Sequence, residues 1–150
     1  AFAYQNINKF EQERQSINIS LDKRRKVMLA AMLVITRSFV DAKGAVSSEQ
    51  ISRKLNLPVR IVRDVIFDLE QGGLILAVKH SANDKATYYT PAKDVHKLTL
   101  YDVVSTVETL GDQSVDIDES PEVREVGKLL DSIHQQAYNS PLNSLFTDIK

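Results

Sequence analysis

The chain has 150 residues, 43% hydrophobic and 26% charged, with a formal net charge of -1. That length can bury a core without disulfides or metal, and it fits one domain with an appendage. There is no cysteine, which excludes a disulfide framework, a thiol nucleophile and a thiolate metal site, and the chain lacks the basic excess that supplies most non-specific affinity for nucleic acid.

Residues 1–16 are polar with interleaved aromatics (Phe2, Tyr4, Phe10) and read as a tail. The start has no basic region followed by a long apolar core, so it is no signal peptide, and the chain reads as a piece of something longer. Ser20 is a helix cap, and a largely buried helix follows from about Leu21 to Val40. Its first turns carry Asp22 and then Lys23, Arg24, Arg25 and Lys26. The apolar run Val27 to Ile35 is nine residues long, too short for a bilayer crossing that needs about 20. Ser47 and Gln50 make a capping box for a short second helix. Asn56, Leu57 and Pro58 form a turn, with Pro58 suited to the first turn of a third helix ending near Gln71. Val62, Val65, Ile66 and Leu69 give that helix one buried face, and Gly72-Gly73 stop it.

"LILAVK" and "TYYTP", joined by a polar loop, read as a two-stranded wing. Three helices and a wing predict a winged helix-turn-helix, mainly α with a small β-hairpin, spanning residues 17–111. Within it, Thr99 caps a further helix whose apolar face includes Leu100, Val103 and Val107. Residues 112–119 form an acidic linker. A helical extension occupies 120–150, started by Ser120-Pro121-Glu122. It places Val123, Val126, Leu130, Ile133 and Ala137 in a seam of about two heptads, too short to be stable alone. A second copy of the chain is the expected partner, making a homodimer. Ser140-Pro141 predicts a last short helix carrying Leu142, Leu145, Phe146 and Ile149.

The third helix should present Arg60, Arg63, Asp64 and Phe67 outward, with Asp68 and Glu70 nearby. Two arginines suit guanine edges, while the carboxylates repel phosphates and Phe67 suits a protein contact. The wing adds Lys79, His80 and Lys85. The mixture favours a protein-interaction or regulatory role over DNA reading, which stays as the alternative. The three histidines have no ligand spacing, and no phosphate loop or nucleophile motif is present, so the residues offer no catalytic site, metal or cofactor. No small-molecule ligand is evident.

The opening "AFAYQNI", then "ISLDKRR", the stretch at 56–75 and "YYTPAKDVHKLTLYDVV" resemble the cytoplasmic C-terminal extension of the YihY/BrkB family of bacterial inner-membrane proteins. The resemblance implies a transmembrane domain before Ala1, with Phe2 and Tyr4 at the membrane interface and Lys23, Arg24, Arg25 and Lys26 on the cytoplasmic side. That family carries a ribonuclease BN label for tRNA processing, for which this chain has no residues. More loosely, the chain resembles bacterial redox-sensing winged-helix repressors that end in a dimerising helix. Those use a cysteine cluster for an iron–sulfur centre, which this chain cannot form.

Overall fold

A computed structural model describes residues 19–79, 85–111, 114–117 and 120–150. The expectations for the 1–16 tail, for Phe2 and Tyr4, for His80 and for much of the acidic linker lie outside these residues. The chain forms α1 (Leu21–Val40), β1 (Val46–Ser47), α2 (Ser48–Leu55), α3 (Val59–Gln71), β2 (Ile75–Val78), β3 (Tyr88–Pro91), α4 (Leu100–Glu108) and α5 (Pro121–Asn139), then a 3₁₀ turn at Phe146–Asp148. This is a winged helix-turn-helix with a helical extension, as the sequence predicts.

The caps fall where side-chain oxygens can take up orphan helix N–H groups. Ser20, Ser47, Thr99 and Ser120 each accept a bond from the third residue of the helix that follows. At α2 the box is complete: Ser47 Oγ accepts from the Gln50 N–H at 3.2 Å, and the Ser47 N–H donates to Gln50 Oε1 at 2.8 Å. After α3, the Leu74 N–H donates back to the Leu69 carbonyl at 3.0 Å. That geometry puts Gly73 at φ 68°, in the left-handed region that glycine enters without a Cβ clash.

The wing has one more strand than expected. β3 pairs antiparallel with β2 (Ile75 opposite Pro91, Val78 opposite Tyr88) and with β1 (Val46 opposite Tyr89), giving the order β1-β3-β2. β1 is two residues long and runs directly into the Ser47 cap, so it carries no alternating pattern to read.

One core serves the described residues. Met32 and Ile35 of α1, Ile51 of α2, and Val62, Val65 and Leu69 of α3 are at most 1% exposed. The tail of the chain returns to this core. The Phe146 N–H donates to the Leu98 carbonyl at 3.1 Å, Thr99 and Leu145 form an antiparallel bridge, and Phe146 is 1% exposed beside α1. In place of the expected last helix the chain makes a turn at 140–143 and a 3₁₀ turn at Phe146–Asp148, and between them the Ser144 carbonyl and the Phe146 N–H are bonded to Leu100 and Leu98.

Candidate nucleic-acid interface

The helix-turn-helix is held at its turn. Asn56 closes α2 in the left-handed conformation, and the Leu57 N–H donates to the Ser52 carbonyl at 3.1 Å. The Ser52 hydroxyl in turn donates to the Leu57 carbonyl at 2.5 Å. Pro58 precedes α3 at φ -56°, needing no N–H partner at a helix start. This fixes the angle at which α3 leaves α2.

On the outer side of α3, Arg63 and Phe67 are exposed, and Phe67 is 61% accessible. Arg60 and Asp64, expected on the same stripe, are half-buried. Arg63 donates to Glu49 Oε1 of α2 at 2.5 Å. This bond holds the Glu49 carboxyl below its ordinary value. Lys79 and Lys85 are exposed on either side of the wing's outer end.

The acid on α3 is not all outward. Asp68 turns back to α1, where its Oδ2 accepts from Arg24 at 2.6 and 3.2 Å. Arg25, the next residue, pairs with Glu108 at the end of α4. Lys26 pairs with Asp22 at 2.8 Å, and Lys23 is exposed. Two of the four basic residues at the start of α1 are thus engaged with other elements, Arg24 with α3 and Arg25 with α4. Sequence spacing could not show this, because the partners lie 44 and 83 residues away.

The expected seam on α5 divides. No residue of α5 is buried. Val123 and Ala137 turn half-buried toward the body. Val126, Leu130 and Ile133 face outward at 64%, 47% and 60% exposure, joined by Leu129 at 66%. The inner side is polar and aromatic. The Tyr138 hydroxyl donates to Asp102 Oδ1 at 2.7 Å, and Tyr101 packs against the rings of His134 and Tyr138 at 5.9 and 6.3 Å between centroids. Among the described residues no group of three or more His, Asp and Glu could hold a metal.

No family model and no curated protein matches the chain. Solved structures do share its architecture. CymR, described as the global cysteine regulator of B. subtilis, aligns with a TM-score of 0.58 at 19% identity, covering 87% of this chain and 94% of that one. A putative transcriptional regulator from Listeria innocua aligns with a TM-score of 0.55 at 18% identity, over 84% and 82%. IscR of T. potens aligns with a TM-score of 0.53 at 20% identity, over 79% and 80%.

These findings overturn the YihY/BrkB resemblance, and with it the inner-membrane location, the transmembrane domain as partner and the ribonuclease BN label. The shared architecture runs nearly end to end through regulators. Among the described residues no helix is long and apolar enough to cross a membrane. Arg24 and Arg25, expected beside a membrane, are paired with Asp68 and Glu108 of the fold. The looser likeness to winged-helix repressors is the one in line with these structures. At such identities the likeness speaks of fold alone, and the fold of this chain is the winged helix-turn-helix in which those regulators are also built.

Proposed function

We propose that this chain is a DNA-binding transcription regulator acting as a homodimer. The observation that carries the reading is the outward face of α3, which leaves Arg63 exposed beside α2. In such folds the N-terminal residues of the second helix meet base edges in the major groove. Here that half of α3 holds Arg60 and Arg63 with Asp64, while Asp68 lies further along and is occupied by Arg24. The repulsion expected from a mixed-sign helix is therefore weaker than a count of charges suggests. Lys79 and Lys85, both exposed, would supply phosphate contacts from the wing. The outward stripe Val126, Leu129, Leu130 and Ile133 follows i, i+3, i+4, i+7 spacing and fits the same stripe of a second copy. Two copies would present two recognition helices to two half-sites.

The test is selection of duplexes from a random pool by the full chain, followed by anisotropy titrations across a salt series. Recovery of a shared sequence with two half-sites, and affinity that falls steeply with salt, are expected. Failure to retain any duplex at low salt would falsify the reading. For the dimer, Leu130→Asp with Ile133→Asp is expected to leave a folded monomer in sedimentation experiments. A wild-type chain already monomeric at high concentration excludes that part of the proposal.

A further inference from the structure

A cleft of about 710 Å³ opens where α1, α3, α4 and α5 meet, within the range of roughly 300–1,000 Å³ typical of small-molecule sites. Its apolar lining comes from Leu21, Met28, Val104, Val107 and Leu130. Two arginines and three carboxylates share the same walls: Arg24, Arg25, Asp68, Glu108 and Asp131. Four of these five cancel in pairs, Arg24 with Asp68 and Arg25 with Glu108. His134 lies 3.7 Å from Glu108, which Arg25 already engages. That leaves Asp131 of α5 as the lining carboxylate with no ion pair among the described residues.

We propose that this cleft is a binding site for an organic monocation, a primary amine carried on an apolar body. The site offers an apolar floor and one uncompensated negative charge, so a single ammonium group completes the balance without breaking an existing pair. An anion of the same shape would meet Asp131 and find both guanidinium groups occupied. A carboxylate ligand would be brought beside Asp131 with no free cation among the described lining residues to pair it and an ammonium would not, so the sign of the ligand's charge decides the selectivity. The binding itself does not depend on the DNA-regulator reading. Its consequence does: the ligand would lie against the Arg24–Asp68 pair that ties α1 to α3, and against Leu130 in the outward stripe of α5.

The probes are n-octylamine and octanoate, equal in apolar body and opposite in charge, titrated calorimetrically into the full chain near neutral pH. Octylamine is expected to bind and octanoate to bind far more weakly. Asp131→Asn should weaken octylamine about tenfold, the loss typical of one charge-assisted hydrogen bond. Because Asp131 is exposed, the variant should keep the wild-type circular dichroism. Equal binding of the two probes, or an Asp131→Asn variant that binds octylamine as the wild type does, overturns the proposal. So does the absence of any binding, and in a dimeric chain that outcome would give the cleft to side chains of the second copy. None of these outcomes bears on whether the chain retains DNA, so the two readings fail separately.

Discussion

Arg63 shows how one residue can be visible in a sequence while its state is not. Helical periodicity places it outward, and it is outward. Its engagement with Glu49 depends on the angle between two helices, which no spacing within either helix encodes. The bond is exposed at both ends, with 60% and 48% of the side chains accessible, so it adds little to stability. Its effect is on availability: a guanidinium that donates to a base edge must first leave a carboxylate. Two substitutions should therefore move duplex affinity in opposite directions. Arg63→Ala is expected to weaken binding by about 1–3 kcal/mol and to relax preference at one base position. Glu49→Gln should tighten binding, by freeing Arg63 and removing a negative charge near phosphate. Competition titrations with the selected duplex measure both, and weaker binding by Glu49→Gln would show that the pair instead holds Arg63 in its reading position.

The elements were largely legible because their ends carry local chemistry. Four serine or threonine caps and a glycine stop mark boundaries that need only neighbouring residues to form. What escaped is non-local: the third strand, the return of residues 144–149 to the core, and the division of the α5 seam. The heptad spacing on α5 is a pattern in the sequence, and a pattern does not say which side meets the domain. The side that does is fastened by polar groups, above all Tyr138 on Asp102. Burial pushes the Asp102 carboxyl up, but bonds from Thr99 and Tyr138 outweigh it and hold it below its ordinary 3.8. Tyr138, hydrogen-bonded to Asp102, is held above its ordinary 10.0. The signs differ for the two partners. The Asp102 contribution is present above pH 3.8 and fades as pH falls through the lowered value. The Tyr138 contribution is present below pH 10.0 and fades as pH rises through the raised one. The fastening therefore holds across the whole neutral range. In an ultraviolet titration, Asp102→Asn is expected to move one tyrosine to lower pH, and Tyr138→Phe to remove that same transition. An unchanged titration in Asp102→Asn would mean that the bond does not persist in solution.

At the scale of the molecule, beginning and end are parts of one core. Phe146 fills a space among helices contributed by the first half of the chain, and Arg37 of α1 donates to the Ile149 carbonyl at 3.0 Å. Phe146→Ala is expected to cost about 3–5 kcal/mol, as truncation of a buried aromatic does, read as a lowered denaturant midpoint at constant slope. A cost below about 1 kcal/mol would place the return outside the cooperative unit. The sequence displayed Phe146 only as one apolar residue in a short amphipathic stretch, with nothing to say that it belonged beside α1. This closure also bears on how the protein is made. Synthesis runs from the N-terminus, so α1, α2 and α3 are made before Phe146 and must wait with a gap where it belongs. A chain truncated before Phe146 would keep α1 to α5 but lack the residue that completes the packing of the first three helices. Such products would be open to proteases, because a fold with an unfilled core visits its unfolded state more often.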